Sequence, residues 1–415
     1  MAISQRAITR DDVWSMPIEE IDVGRPDLFQ ADAIFPYFER LRREAPIHYS
    51  RGSLYGPYWS VTCYQDIIDV EADHLTFSSD ASHGGITIYD QSAQFRLPMF
   101  IAADPPKHTA QRGVIKPVMS HANLNQLEGQ LRQQTRKVLQ DLPRNETFDW
   151  VDHVSVELTT QLLATLFDFP WEERRRLAWW SDVATAMPGE PGAETEKKRE
   201  AELLDCLTCF RQLWRERVDS EGRTDMISLM ANSAATRTID PMEFLGNIVL
   251  LIVGGSDTIR NTISGGIDAI SKFPDEYRKL RADPNLVASA VPEMIRWQTP
   301  LAHMRRTATR DCLLYGNRIR KGEKVVLWYV SANRDESMIR NANQFIVDRA
   351  HPRRHLSFGS GVHRCVGERL GELQLKILWE EMLNILPEVA LVGRPERVHS
   401  AFVRGYTKLP VQIGG

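Results

Sequence analysis

One long helical pattern near the middle of the chain limits what the rest of it can fold into. Asp240 is a typical N-cap, Pro241 takes the first helical position, Glu243 takes the third, and the pattern runs to Lys272 before Phe273-Pro274. At 1.5 Å per residue, a helix of about 32 residues is roughly 48 Å long. A helix of that length, apolar near its middle, is expected to run through the core of a whole domain.

The centre of this helix conflicts with its apolar surroundings. Residues 254–258 read Gly-Gly-Ser-Asp-Thr, so two helix-weakening glycines, a carboxylate and a hydroxyl fall where a buried helix should be apolar. Such local conflicts are typical of functional sites. The alternative, taken in isolation, is a threonine bonded to its own i−4 carbonyl beside a solvated aspartate.

Composition excludes several classes of protein. The chain has 415 residues, of which 42% are hydrophobic and 26% charged, and this excludes intrinsic disorder. A formal net charge of −4 argues against a nucleic-acid partner bound by global phosphate neutralisation. Five dispersed cysteines exclude a disulfide-stapled scaffold and favour a cytoplasmic location. We expect no signal peptide and no transmembrane segment, because the longest apolar run, residues 248–253, is far shorter than the roughly 20 residues that a spanning helix needs.

The secondary-structure signals predict a mainly α fold with small β-sheets, an α+β architecture. Length alone allows two or three domains, but no linker or internal repeat divides the chain. We therefore expect an N-terminal tail over residues 1–14 and a single domain over residues 15–415. Its β-rich portions are predicted near residues 46–62 (a hairpin), 313–330 and 398–412 (a terminal hairpin).

The most specific pattern is a glycine-rich loop around one cysteine. Residues 358–367 read Phe-Gly-Ser-Gly-Val-His-Arg-Cys-Val-Gly and lead into a helical segment. Glycines at a helix entrance allow a tight loop whose backbone N–H groups face the Cys365 sulfur, and the positive end of the helix stabilises a thiolate. An isolated cysteine is more often a buried structural residue. The glycine pattern instead favours an anionic sulfur that binds a metal.

This loop matches every fixed position of Phe-Gly-x-Gly-x-His-x-Cys-x-Gly, the haem-thiolate signature, and the chain thereby resembles the cytochromes P450. Further motifs follow the family's order: the oxygen-activating segment at residues 254–258, the Glu-x-x-Arg pair at Glu293 and Arg296, and the meander at residues 345–349. The resemblance covers about residues 15–412. It implies a single-domain, trigonal-prism-shaped P450 fold with haem b buried between the long central helix and the cysteine loop.

Four segments are similar to one bacterial group of this family, the soluble terminal hydroxylases of medium-chain alkanes and fatty acids. They are residues 84–88, 142–150 and 295–306 and the cysteine-loop region. One departure is Ser256-Asp257-Thr258-Ile259, where the group leads us to expect asparagine before the aspartate and a second threonine after Thr258. The Asp-Thr pair is retained, so we expect the departure to affect the fine tuning of oxygen activation and not the class of reaction.

The resemblance implies a role for each candidate residue. Cys365 would be the axial thiolate ligand of the haem iron, and Phe358 would pack against the proximal side of the haem. Asp257 and Thr258 would deliver protons for oxygen activation, and Gly254 with Gly255 would leave space in a locally widened helix that suits a bulge. The haem propionates would be bound by His108, Arg112, Arg306 and His363. A structural triad would consist of Glu293, Arg296 and Arg349. The substrate-lining candidates are Ile86, Ile88, Gly254, Leu301, Met304 and Phe402, with residues 187–194 as a mobile lid.

The resemblance also implies a reaction and its partners. We expect a monomeric, cytoplasmic monooxygenase that hydroxylates the terminal carbon of a hydrophobic small molecule with O2. Electrons would come from NAD(P)H through a ferredoxin reductase and a ferredoxin. The docking surface would be a basic patch formed by Lys116, Arg353, Arg354 and Arg364, although scattered solvated charges are the alternative for each.

Three alternatives stay open at this point. The substrate could be another hydrophobic molecule such as a terpenoid, or the chain could be a non-monooxygenase haem protein, either a sensor or a peroxygenase. Neither haem alternative needs the Asp257-Thr258 pair. Cys206 and Cys209 form a Cys-x-x-Cys pair that suggests zinc or redox chemistry, but no second such pair exists, so we interpret them as core or boundary residues of an amphipathic helix.

Overall fold

The computed structural model describes residues 10–90, 95–186, 196–220 and 222–414. Within them, the helices are α1 (Arg10–Ser15), α2 (Pro26–Gln30), α3 (Phe35–Glu44), α4 (Tyr64–Ala72), α5 (Lys107–Ile115), α6 (His121–Gln140), α7 (Glu157–Phe167), α8 (Arg175–Thr185), α9 (Glu196–Arg217), α10 (Met226–Asn232), α11 (Pro241–Lys272), α12 (Pro274–Ala282), α13 (Val287–Gln298), α14 (Tyr329–Ala332) and α15 (Glu368–Ile385). The strands are β1 (Ile47–Ser50), β2 (Tyr58–Val61), β3 (Phe77–Ser78), β4 (Thr147–Asp149), β5 (Met304–Ala308), β6 (Cys312–Leu314), β7 (Asn317–Ile319), β8 (Lys324–Leu327), β9 (Val389–Leu391), β10 (Glu396–Arg397), β11 (Tyr406–Lys408) and β12 (Pro410–Ile413). The predicted mainly α fold with small sheets is confirmed.

The central helix α11 has the predicted bounds. The Asp240 side chain caps it by accepting a hydrogen bond from the Met242 N–H at 2.8 Å, and Pro241 occupies its first turn. The helix packs against α7, α8, α9, α13 and α15, and most of its residues are buried. Among the described helices it is the one long and apolar enough to span a membrane, but more than half of its most apolar stretch is buried inside the protein. Its apolar character is therefore that of a core helix.

The strands form four small sheets. The largest has the order β1-β2-β8-β5-β3, and β1 and β2 form the predicted hairpin, in which Ile47 lies opposite Val61. Sheet β4-β12-β9 and the pairs β6-β7 and β10-β11 complete the set. In the predicted strand region at 313–330, strand structure ends at Leu327, because α14 starts at Tyr329.

The predicted terminal hairpin within residues 398–412 is present but lies earlier than predicted and does not include β12: β10 and β11 pair antiparallel, and the Val398 N–H donates to the Gly405 carbonyl at 3.1 Å. Strand β11 pairs with β10, whereas β12 pairs with β4 and β9, so the two C-terminal strands belong to different sheets. The physical reason is that β12 finds its partners far away in the sequence, with Val411 opposite Phe148 on one side and Leu391 on the other.

The predicted N-terminal tail is shorter than expected. Residues 10–15 form α1, Val13 is buried, and Arg40 Nη1 donates to the Val13 carbonyl at 2.7 Å. This part of the segment therefore packs on the rest of the fold. Residues 1–9 lie outside the described residues.

The largest hydrophobic cluster surrounds α11 and the helices that pack on it. A second cluster joins the N-terminal helices to Trp328 and Phe402, and a third lies under the five-stranded sheet. Cys206 is fully buried in the first cluster, as expected for a core residue, and burial raises the pKa of its thiol.

Candidate active site

A cavity of about 480 Å³ lies between α11 and the loop that precedes α15. Side chains of α11, α7, α8, α9 and the Phe95–Ile101 region line it together with β5 and the cysteine loop, and most of them are apolar. Cys365 Sγ, Gly254 and Thr258 all face this space. The cysteine loop and the polar centre of the long helix, two patterns far apart in the sequence, thus meet at one cavity.

The glycines of the cysteine loop are required by its geometry. Gly359 and Gly361 have φ values of +65° and +62°, which side-chain-bearing residues rarely adopt. A Cβ on Gly361 would lie 2.5 Å from the Glu71 carbonyl oxygen. The loop therefore turns tightly against the end of α4, and the Cys365 N–H donates to the Phe358 carbonyl at 2.8 Å. This bond fixes the cysteine two residues before the cap of α15, Gly367.

The Cys365 side chain opens onto the cavity. Burial raises the pKa of the thiol, and the Gly367 N–H acts in the opposite direction by donating to the sulfur. A thiolate at this position would also interact favourably with the N-terminal end of α15. The loop is thus built to present sulfur to the cavity, and a metal ion would offset the cost of ionising it.

Three of the four predicted propionate ligands have nitrogen atoms available. The His108 and His363 rings lie 4.2 Å apart, and His108 Nδ1 and both His363 nitrogens are buried without a hydrogen-bond partner among the described residues. Burial, reinforced by nearby Arg112, lowers the pKa of His108 to about 4, so its imidazole is neutral near pH 7. Arg112 lines the cavity and donates no hydrogen bond to any residue that the structure describes.

Arg306 lies at the same end of the cavity, but its charge is paired. Its Nη2 donates to Glu71 Oε1 at 3.1 Å, and Nη1 donates to the Arg305 carbonyl. The same Glu71 carboxylate accepts from the Tyr329 hydroxyl at 2.5 Å and from the Ser360 N–H at 2.7 Å. Glu71, which sequence reasoning missed, therefore ties α4, β5 and the cysteine loop together. Its only sequence signal was a carboxylate inside an otherwise amphipathic helix.

These residues fit haem. A buried haem needs an axial ligand for iron, and it needs donors or cations for two propionates. Cys365 offers the first, and the unpartnered imidazole nitrogens with the Arg112 guanidinium offer the second. Phe358 lines the cavity beside them.

Asp257 is buried and ion-paired, not solvated. Its Oδ1 accepts from Arg260 Nη2 at 2.5 Å, and the same nitrogen donates to Asp182 Oδ1 at 2.6 Å. Asp257 Oδ2 and the Ser256 hydroxyl are buried without hydrogen-bond partners among the described residues. Burial raises the pKa of Asp257, and Arg260 opposes that rise. Asp182 is half exposed and also lines the cavity, so the three residues link the helix centre to the α8 side of the cavity.

The Thr258 hydroxyl donates to the Gly254 carbonyl at 2.7 Å. This is the i−4 bond named above as the alternative for an isolated threonine, so the hydroxyl hydrogen does not point to the cavity. Its oxygen keeps lone pairs that can accept a hydrogen bond from a water there.

The predicted bulge at Gly254 and Gly255 is wrong, because α11 is a regular α-helix from Pro241 to Lys272. The glycines provide space. A Cβ on Gly254 would meet nothing within 4 Å, whereas a Cβ on Gly255 would lie 2.6 Å from Leu163 Cδ2 of α7. A π-helical turn does occur, at Val151–Val156.

The predicted structural triad is confirmed. Arg296 Nε donates to Glu293 Oε2 at 2.7 Å, Arg349 Nε donates to the same oxygen at 2.8 Å, and Glu293 and Arg296 are fully buried. Arg296 also donates to the backbone carbonyls of Asn333, Ala342 and Gln344, which holds the segment leading to the cysteine loop.

Five of the six predicted substrate-lining residues line the cavity: Ile86, Gly254, Leu301, Met304 and Phe402. Ile88 is the exception, and its placement was wrong. It is fully buried in the second hydrophobic cluster, beside Tyr58, and its N–H donates to His303 Nε2 at 3.2 Å. The predicted lid at residues 187–194 lies outside the described residues.

The cytochrome P450 family model matches residues 106–385 of the chain. The chain belongs to the cytochrome P450 family. This P450 is 48% identical to CYP153D17 from Sphingomonas sp. PAMC 26605, whose solved structure matches with a TM-score of 0.90 over 96% of this chain and 100% of that one. It is 36% identical to linalool 8-monooxygenase of Pseudomonas putida over 95% of this chain and 99% of the relative. It is 28% identical to a methyl-branched lipid omega-hydroxylase of Mycobacterium tuberculosis over 95% of each chain. The narrower resemblance to a bacterial group is thereby confirmed.

The cofactor of this P450 is haem b, and Cys365 is the residue that would hold its iron. When bound, it supplies redox-active iron whose thiolate ligand favours cleavage of the O–O bond. The protein's part is to bind the propionates, to exclude bulk water and to move protons. The buried carboxylate of Asp257, bonded to Arg260, would be the group for the last of these tasks.

Proposed function

We propose that this P450 monooxygenase hydroxylates the terminal carbon of medium-chain alkanes or fatty acids, using O2 and two electrons from a ferredoxin system. The observation that carries the proposal is the apolar cavity, lined by Ile86, Leu301, Met304 and Phe402 on one side and open at Gly254 on the other. The similarity to CYP153D17 and to a lipid omega-hydroxylase supports it.

Terminal oxidation depends on geometry, because internal methylene C–H bonds are intrinsically easier to attack than a methyl group. An enzyme can overcome that preference only by holding the chain end at the reacting centre. Side chains from separate elements converge above the cysteine loop here, and a Cβ-free position on α11 leaves room for a chain end.

The residues of the site have distinct roles in this proposal. Cys365 binds the iron, and His108, Arg112, Arg306 and His363 surround the propionates. Thr258 accepts a hydrogen bond from an ordered water, and Asp257 Oδ2 passes a proton inward from the solvent side. A sensor or electron carrier would need no such buried carboxylate on the central helix.

The electron donor proposed is an acidic ferredoxin that binds the basic patch of Lys116, Arg353, Arg354 and Arg364. All four side chains are exposed, but Arg353 pairs with Glu372 and Arg364 with Glu368, so Lys116 and Arg354 carry most of the free charge. Reversing both with Lys116→Glu and Arg354→Glu should raise the ferredoxin concentration needed for half-maximal rate. The matched control is Arg211→Glu on α9, and equal values for the two variants would remove this docking site.

The substrate is tested by product analysis. The holoenzyme, supplied with NADH and a surrogate ferredoxin system, is offered octane, dodecane, dodecanoate and linalool, and hydroxylated products are identified by position. Oxidation of the last carbon of the linear chains is the expected result. Oxidation mainly at internal carbons, or turnover of linalool alone, would overturn the proposal.

Linalool is included because a terpenoid is the second candidate substrate. The observation that favours it is the 36% identity to linalool 8-monooxygenase across almost the whole of both chains.

A further inference from the structure

The charged residues that line the cavity fall into two groups on different walls. The first group, on α5, β5 and the cysteine loop, surrounds the haem site already described. The second group consists of Asp182 on α8 and Glu196 and Arg199 on α9. Nothing in the proposed reaction so far uses Arg199.

Arg199 is a half-buried cation without a paired carboxylate among the described residues. Its Nε donates to the Val183 carbonyl at 3.1 Å and its Nη2 to the Ala184 carbonyl at 3.2 Å, at the C-terminal end of α8. These bonds hold the guanidinium in place against the cavity, and its Nη1 has no partner in the part of the chain that the structure describes. Asp182, the nearest acidic residue of α8, is bonded to Arg260 instead.

The surroundings leave the charge of Arg199 poorly compensated. Burial lowers its pKa, and the more distant Tyr89 and Glu196 offset this only in part. A cation removed from water is costly unless an anion pairs with it. A guanidinium held by two backbone bonds, with a third nitrogen free, is well suited to receive a carboxylate.

We propose that Arg199 binds the carboxylate of a medium-chain fatty acid, so that fatty acids rather than alkanes are the preferred substrate class. This inference rests on the proposed function. With the carboxylate on the α8–α9 wall, the alkyl chain runs along the apolar lining and its methyl end reaches the space beside Gly254 and Cys365. A fatty acid held instead by Arg112 would present its carboxyl end to the iron, and oxidation near the carboxylate would follow.

The test compares a charged and a neutral ligand of equal length. Binding of dodecanoate and of methyl dodecanoate to the holoenzyme is measured by spectral titration and by calorimetry in the Arg199→Gln variant and in the parent protein. A hydrogen bond to a charged group is worth about 1.5–3 kcal/mol, so the Kd of dodecanoate should rise about tenfold or more. The Kd of the methyl ester should change by less than about twofold.

Two further variants separate charge from packing. Arg199→Lys keeps a cation that can still donate to the α8 carbonyls, and it should restore most of the dodecanoate affinity. Arg211→Gln removes an exposed arginine of the same helix and should change neither ligand's affinity. An equal loss for both ligands, no loss for either, or no rescue by lysine would each overturn the role of Arg199.

The product position distinguishes this inference from the proposed function. Selective loss of dodecanoate affinity, with oxidation at internal carbons in the parent, would retain the Arg199 site and reject terminal hydroxylation. If dodecanoate is oxidised at its terminal carbon and binds equally well to the parent and to Arg199→Gln, terminal hydroxylation is retained and the Arg199 site is rejected.

Discussion

The two walls of the cavity differ in how their charges are matched. On the cysteine-loop wall, Arg306 is paired with Glu71, and the Glu293 triad behind the loop is fully hydrogen-bonded. On the α11 side, behind the residues that line the cavity, Asp257 is paired with Arg260, but Asp257 Oδ2 and the Ser256 hydroxyl are buried without partners among the described residues. The unpartnered polar groups of the first wall are the His108 and His363 imidazoles and the Arg112 guanidinium, all of which line the haem site.

This difference indicates a division of labour. The first wall is fixed by ion pairs and by glycines with positive φ, as a cofactor site requires for a constant position of its ligand atom. The α11 side keeps unpartnered polar atoms just behind the lining, which proton transfer requires. If the comparison is correct, changes on the first wall should remove the cofactor or the fold, and changes on the second should alter turnover and selectivity.

Cys365→Ala should have the largest effect, because it removes the axial ligand. The reduced, CO-bound spectrum should lose the thiolate Soret shift, and product formation should be abolished. The matched control is Cys63→Ala, a half-buried thiol beside the Arg42 carbonyl, which should leave the spectrum unchanged. A retained thiolate spectrum in Cys365→Ala would refute the assignment of the ligand.

Glu293→Gln should destabilise the fold of the first wall. It leaves the fully buried Arg296 with a neutral partner, and breaking a buried pair costs about 3–5 kcal/mol. Urea unfolding should show this loss together with weaker haem retention. Asp275→Asn, which breaks an exposed pair with Arg278, should leave the unfolding midpoint unchanged. Similar midpoints for the two variants would contradict the proposed role of the triad.

The elements of this fold that local signals define were the ones that could be predicted. The start and end of α11 follow from Asp240-Pro241 and Phe273-Pro274, and the cysteine loop follows from a contiguous motif. Strand β12 could not be assigned in the same way, because its partners β4 and β9 are distant in the sequence and its register depends on them.

The site shows the same limit. Ile88 is apolar, as a residue that lines a substrate cavity should be. It lies in the core instead, because it packs against Tyr58 and Gly24, which are far away in the sequence. Glu71, Arg260 and Arg199 were missed because each acquires its role only from a partner on another element or from the cavity itself. The roles of these residues depend on tertiary packing, which the spacing of residues along the sequence does not predict.

Asp257→Asn should lower turnover without removing haem. It retains the size of the side chain and removes its ability to transfer a proton, and general acid–base catalysis is typically worth about 10²–10⁴-fold in rate. The rate of product formation per haem should therefore fall by about 10²-fold or more. Because Arg260 keeps its bond to Asp182, the CO-bound spectrum should stay that of a thiolate. An unchanged rate of product formation in this variant would show that protons reach the site by another route.

Gly254→Ala should have the smallest effect and the most specific one. Its new methyl group would meet no atom within 4 Å and would project into the cavity, so the fold should be unaffected while the space for the chain end shrinks. One methyl group in an apolar pocket changes discrimination by about 1–3 kcal/mol, and the preferred chain length should shift accordingly. Gly266→Ala on the same helix is the matched control: Gly266 does not line the cavity and its methyl group would lie 2.8 Å from Trp379 Cζ2, so the variant should lower stability and leave the product profile unchanged. If Gly266→Ala shifted the chain-length profile and Gly254→Ala did not, the face of α11 assigned to the substrate would be the wrong one.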